Sequence, residues 1–443
     1  MNPVILFILG VVFVAIGVAV SIALHEVGHL VPAKLFKVRV TKYMIGFGPT
    51  LWSKRKGETE YGVKAIPLGG YVAMIGMYPP NPEDGSVRPS STGMFQTLAT
   101  EARSAAHEEV GPGDKDRVFY KLPVWKKVII MLGGPAMNLL IGLVLTAVLL
   151  MGFGVSTATT AIAEVSKCQV KAGETIDPNS PNCQLTPAAA AKLQPKDVVT
   201  SFDGKPVKSW TEMSNWIRAS AGKTVQITVD RGGQSITTQV TPVLSARPVI
   251  GDNGRQAKGA DGKPLYEEVG FLGISAQTAM VPQPASSVLP TAGENIKQIA
   301  GVILNLPARV VGVAQAAFGS EPRDPNGPIS VVGVGRVAGE VAAMDQVPLQ
   351  SRVGALVGLL AGLNFALAVF NLVPLLPLDG GHVAGALYEG VRRRIAKLFG
   401  KPDPGAFDIA KLLPLTYVVA SVLMAMSALL IYADIVKPVN LFG

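Results

Sequence analysis

Charge is absent from four long stretches of this chain. No Asp, Glu, Lys or Arg falls in Val4–Leu24, Val128–Val155, Val353–Leu378 or Leu412–Ala433. Each window exceeds the roughly 18–20 apolar residues that span ~30 Å of hydrocarbon. With 49% hydrophobic residues among 443, the composition sits above the soluble range and matches a membrane protein that carries a soluble part. The first window lacks a basic flank and outruns a typical signal-peptide core, so it reads as a retained span rather than a cleaved leader. Cysteine and histidine are also scarce, with two and four residues. That scarcity excludes a cysteine-rich metal module and a scaffold built on many disulfides.

The net charge is +9, and its distribution points to topology rather than to nucleic acid. Lys34, Lys37, Arg39, Lys42, Lys54, Arg55, Lys56, Lys126 and Lys127 lie between the first two windows, and Arg392, Arg393, Arg394 and Lys397 precede the fourth. Cytoplasmic loops collect such residues. With four spans, both loops share one side, and the termini and the long middle region lie outside. The two cysteines, Cys168 and Cys183, fall in that outer region, where a disulfide is the favoured reading and free thiols are the alternative.

The expected organisation runs in chain order. Residues 1–34 form a first span and 35–78 a hairpin region rich in β-branched, aromatic and glycine residues. This region is apolar enough to re-enter the membrane beside a partner, the alternative being a small sheet on the membrane surface. Residues 79–126 form a polar cytoplasmic segment, in which His107 reads as part of a solvated helix face. The second span, 127–156, contains Gly133-Gly134-Pro135, whose small residues permit close helix approach, and Asn138, which requires a partner there. Residues 160–278 have the composition of a soluble domain, with a helix at Trp210–Ala219, a turn at Asp203-Gly204 and an insertion at 246–267. Residues 290–345 are amphipathic and read as interfacial helices, the alternative for Ile296–Phe318 being a span. The third span occupies 352–390 and the fourth 410–434.

The chemistry starts at His25-Glu26-Val27-Gly28-His29, at the end of the first apolar run. Positions i and i+4 share a helix face, so the two histidines are placed to grip one metal ion, with Glu26 beside them as a general base. A catalytic zinc site takes three protein ligands and leaves one position open. Asp379, in Asn371-Leu-Val-Pro374-Leu-Leu-Pro377-Leu-Asp379-Gly380-Gly381-His382, is the expected third ligand, placed at the end of the third span. A carboxylate there is costly unless it is paired or bound to metal. His382 is a rival, set apart by an expected turn at Gly380-Gly381; Glu58 and Glu60 are others. Pro374 and Pro377 interrupt the helix and free backbone groups for a substrate, and Asn371 is placed to donate to a carbonyl or an oxyanion. A metal transporter or scaffold would use the same ligands but would not need Glu26.

These residues together resemble the site-two protease family of intramembrane zinc metalloproteases, in its bacterial RseP-like branch. The resemblance rests on HEVGH, FGPTLW…GETEYGVKAIPLGGYVAMIGM, VWKKVIIMLGGPAMN, GPISVVGV and NLVPLLPLDGGH, in that order over most of the chain. It implies a polytopic α-helical membrane protein of four core spans in the bacterial inner membrane, with a membrane-associated β-hairpin. It also implies zinc on His25, His29 and Asp379, catalysis by Glu26, and substrate handling by Asn371, Pro374, Gly69 and Gly70. The implied substrates are single-pass membrane proteins already trimmed by an extracytoplasmic site-one protease, such as anti-sigma factors, or remnant signal peptides. The middle region resembles one inserted extracytoplasmic PDZ domain, as in the actinobacterial Rip-type branch. Lys192 and Lys196 stand where PDZ relatives often carry glycine, which leaves peptide-end binding and size filtering both open as its role.

Overall fold

A computed structural model describes residues 2–79, 111, 113–169, 183–249, 256–257, 263–320, 323–324 and 327–439. Most of the polar segment expected at 79–126, His107 included, and much of the 246–267 insertion lie outside the described residues. The chain forms two compact units, Met1–Phe153 with Gln283–Gly443, and Gly154–Pro282.

The first unit opens with helix α1 (Pro3–Leu35), started by Pro3 and by Asn2, whose side chain accepts from Val4 N at 2.9 Å. Strands β1 (Val40–Lys56) and β2 (Thr59–Met74) pair as an antiparallel hairpin. The hairpin folds on itself. Val40–Ile45 pairs with Gly70–Met74 on one side and with Glu60–Val63 on the other, and Thr50–Lys56 closes against Thr59–Lys64. Gly70–Met74 therefore lies at an edge, with no further strand beyond it among the described residues. Helix α2 (Val124–Ala147) then runs into a π-helical turn over Val148–Phe153.

In the second unit the order is β3 (Val155–Val165), α3 (Pro187–Ala190), β4 (Val198–Phe202), β5 (Lys205–Pro206), α4 (Trp210–Ala219), β6 (Val225–Arg231), β7 (Gln234–Val240), β8 (Val243–Pro248), β9 (Tyr266–Phe271) and β10 (Ile274–Val281). One sheet runs β10-β3-β4-β6-β7, with β5 on β4; β8 and β9 form a separate pair. The core gathers Ile162, Phe202, Met213, Ile227, Val229 and Leu272 between the sheet and α4. Deleting the Phe202 ring there would cost about 3–5 kcal/mol. The flanks of the expected insertion are themselves strands, β8 and β9. Their register is set by pairing across a long loop, which local pattern does not reveal. Cys168 and Cys183 form a disulfide.

The chain returns to the first unit through α5 (Val288–Leu304), α6 (Leu306–Phe318), α7 (Val331–Ala343), α8 (Leu349–Asn371), α9 (Asp379–Leu398) and α10 (Leu413–Val436). Among the described residues, four helices are long and apolar enough to cross a membrane: Pro3–Leu35, Val124–Phe153, Leu349–Asn371 and Ile409–Val436. The amphipathic stretch breaks by 70° between Leu304 and Leu306, and this bent pair would count as a fifth if it crossed as one span. The third span expected over 352–390 is two helices, parted at the prolines. α8 stops at Asn371, Leu372–Leu378 is irregular, and α9 begins at Asp379. Pro374 and Pro377 lack the N–H groups that a continuous helix would need.

Close approach governs the packing of the spans. A Cβ on Gly28 would stand 2.2 Å from Gly133 O, so α1 and α2 touch backbone to backbone. Leu360 lies against Gly17, and Phe365 lies against Gly142. One polar link between spans comes from Asn364, whose Nδ2 donates to Ser21 Oγ at 3.0 Å; buried Asn138 has no hydrogen-bond partner among the described residues.

Candidate metal centre

The last turns of α1 carry His25 and His29 toward α2. His25 Nε2 and His29 Nε2 stand 3.3 Å apart. His29 Nδ1 donates to Ile130 O of α2 at 2.7 Å. That bond fixes the ring tautomer and leaves the Nε2 lone pair free for a metal. Gly134, one turn on from Ile130, makes room for both rings: a Cβ there would come within 2.3 Å of His29 Nε2 and 2.6 Å of His25 Nε2.

Asp379 arrives from the far side as the first residue of α9, rather than at the end of the preceding span. Its Oδ2 lies 3.4 Å from His25 Nε2 and 3.4 Å from His29 Nε2. These are the residues that form a metal-sized cluster among those described. Asp379 Oδ2 is buried and has no hydrogen-bond partner among the described residues. Four donors at about 2.0–2.1 Å from a tetrahedral zinc stand roughly 3.3–3.4 Å apart. The three separations match that edge length, and two imidazoles with one carboxylate suit zinc with one position open.

Glu26 is buried beside this cluster. Gly70, at the edge of β2, presses on it: a Cβ there would meet Glu26 Cγ at 2.8 Å. Gly69 has φ +95° and lies against the Phe47 ring, so both residues must be glycine for the strand to run this close. Asn371 closes α8 on the near side of the break, and Pro374 lines a cavity of about 330 Å³ with Gly381, Tyr388 and Phe407. The rival ligands stand elsewhere. Glu58 holds Arg117 at 2.6 and 2.8 Å, and that guanidinium keeps its carboxyl below the usual range. Glu60 pairs in register with Arg55 on β1. His382 is not set apart by a turn, since Gly380 and Gly381 are helical and pack on the Leu372–Leu376 backbone; it sits in the first turn of α9, outside the three-ligand cluster.

The model of peptidase family M50 matches residues 13–401. This chain belongs to that family. Over 99% of its length it is 34% identical to the zinc metalloprotease Rip1 of Mycobacterium tuberculosis, all of which is covered. Rip1 of Mycolicibacterium smegmatis is 33% identical over 99% of this chain and 100% of its own. The metalloprotease MmpA of Caulobacter vibrioides is 27% identical over 88% of each. The M50 chain therefore matches the two Rip1 proteins across the apolar helices, hairpin and inserted unit alike. Two contributors to the centre escape sequence reasoning, the Ile130 carbonyl and the room at Gly134. The first is a backbone atom, without any side-chain signal. The second was visible only as a small residue in a span.

Proposed function

We propose that this M50 chain is a zinc endopeptidase that cuts single-pass membrane proteins at a site toward the cytoplasmic face. His25 Nε2, His29 Nε2 and Asp379 Oδ2 hold the metal. Bound there, zinc would supply Lewis acidity to a scissile carbonyl and would make water acidic enough to lose a proton near neutral pH. Glu26 takes that proton with its carboxylate and returns it to the leaving amide nitrogen. The Gly70–Met74 edge offers unpaired backbone groups next to Glu26, so an unwound substrate segment adds to it as a strand. Asn371 and the irregular Leu372–Leu378 stretch provide further polar groups to hold that segment. The observation that carries the reading is the three ligand atoms at 3.3–3.4 Å with Glu26 buried beside them.

Orientation follows from charge and redox. The centre lies at the end of α1 near Lys34, Lys37, Lys126 and Lys127, the side that the positive-inside rule makes cytoplasmic. The disulfide Cys168–Cys183 belongs to an oxidising compartment, which supports an extracytoplasmic second unit. We read that unit as a PDZ-like domain that acts after a site-one protease has trimmed the substrate. Glu26→Gln should lower cleavage of a single-span test substrate by at least about a hundredfold. Zinc content, measured by atomic absorption, should stay at one per chain. Cleavage that survives this change, or that resists a zinc chelator, overturns the mechanism.

A further inference from the structure

Both ligand-bearing helices are fastened to α2, and the second fastening is an ion pair that the chemistry does not use. His29 is tied to α2 through Ile130 O at 2.7 Å. One turn earlier on α2, Lys127 Nζ lies 2.8 Å from Glu389 Oε2 of α9. Lys127 is 4% exposed and Glu389 2%. The same carboxylate accepts from Phe407 N at 3.0 Å and faces Arg393 at 3.1 Å. Gly390 sits against Val124, so α2 and α9 are also in close contact beside the pair.

Desolvating two charges offsets most of their attraction, and apolar replacements of such pairs often leave stability unchanged. Stability alone is therefore a poor account of this pair, whereas fixing register is a use well attested for buried polar groups. Here register has a chemical consequence. Asp379 is the first residue of α9, and the stretch before it, Leu372–Leu378, is irregular. Its first residues pack on the start of α9 at Gly380 and Gly381, but its backbone hydrogen bonds stay within itself and the adjoining ends of α8 and α9, so it gives α9 no anchor on α2. Glu389 lies about 15 Å further along the same helix. A helix is stiff over that length, so an anchor at Glu389 fixes where its first residue stands. We infer that Lys127 and Glu389 are positioning residues that set α9 along α2 and so hold Asp379 at ligand distance from His25 and His29. The inference rests on the reading of those three residues as metal ligands.

The test uses the full chain in detergent, stripped of metal, with Co(II) as a spectroscopic probe and Zn(II) competition for affinity. The wild type should take up one Co(II) with the visible bands of a tetrahedral site, and His25→Ala should take up none. A wild type without uptake overturns the ligand reading, and this inference with it. K127M/E389Q removes both charges, keeps side-chain volume and leaves an acceptor for Phe407 N. Glu389→Asp keeps the charges and shortens their reach. Both should melt close to the wild type, bind zinc about 10–100-fold more weakly and shift the Co(II) bands. Their kcat on a single-span substrate should fall while KM stays within about twofold, and Lys127→Arg, which keeps the charge, should retain wild-type values. Wild-type affinity and spectrum in either variant, when folded, overturns the inference. So does unfolding of both, because the pair would then hold the fold rather than the ligand.

Discussion

Gly134 is the position where the centre has least room to spare. An added methyl would sit 2.3 Å from His29 Nε2 and 2.6 Å from His25 Nε2, well inside contact distance. For α2 to back away, it would have to break the backbone contact between Gly28 and Gly133 and the His29–Ile130 hydrogen bond that hold it against α1. Overpacking of this kind costs about 1–3 kcal/mol, and here it falls on the ligating nitrogens themselves. Gly134→Ala should lower zinc affinity at least about tenfold while helical content, followed by circular dichroism, stays near that of the parent. Unchanged zinc affinity would mean that the rings stand further from α2 than the structure places them. At this scale His25, Glu26 and His29 were legible because their spacing repeats a helical face. Asp379 was legible because a carboxylate beside a span needs a reason. Glu389 was not, since nothing local in a basic, exposed-looking stretch names Lys127 as its partner across the chain.

Among the elements, those built from local signals follow the sequence closely. The Trp210–Ala219 helix begins at Ser209, whose side chain caps Glu212 N, and Asp203-Gly204 turns with both φ values positive. The break between α8 and α9 was legible from Pro374 and Pro377, but the return to helix directly at Asp379 was not. Its two glycines read as a turn, whereas they serve close packing. The turn before β4 shows a second departure. Lys192 and Lys196 adopt φ 57° and 75°, where glycine is favoured, at about 1 kcal/mol each. Arg231 braces this turn by donating to Lys192 O at 2.9 Å and to Asp197 at 2.7 and 2.8 Å. Burial of Asp197 opposes its ionisation, but the Arg231 guanidinium and the Gln194 N–H outweigh it and hold the carboxyl below its usual range. A carboxyl depressed on folding stabilises fully above its unfolded value, about 3.9. That stabilisation is lost as the pH falls through the folded value. Amide exchange in β4 and β6 should therefore quicken as the pH drops below the ordinary carboxylate range, beyond the intrinsic change. Asp197→Asn should remove that dependence and show faster exchange already at neutral pH. A variant with the parent's acid profile would show that another group carries the effect.

For the whole molecule, the arrangement of the two units makes a separable test possible. Gln283 N donates to Leu150 O at 2.8 Å, so the chain leaves and rejoins the first unit at one place. Within the second unit Val155 pairs with Val281, so its two ends are neighbours as well. An insertion with adjacent ends on both sides is the arrangement in which domains are exchanged or removed with least disturbance. The four helices long and apolar enough to span, and the polar composition of the middle unit, were legible from charge alone, because bilayer thickness and solvation act on composition. The bend between α5 and α6 was not, since a weakly amphipathic stretch is compatible with lying on a membrane or folding within it. The ligands, Glu26 and the Gly70–Met74 edge all belong to the first unit. Replacing Gly154–Pro282 by a short Gly-Ser linker should thus leave zinc uptake and cleavage of a pre-trimmed substrate within about threefold of the parent, since no group that binds or orients the metal is removed. If the second unit filters by size, the same variant should also cut a substrate that still carries its folded ectodomain, which the full chain should refuse. Gel-based cleavage of the two substrates side by side decides it. Continued refusal of the untrimmed substrate would end the filter reading, and loss of zinc uptake would show that the first unit needs the second to build its centre.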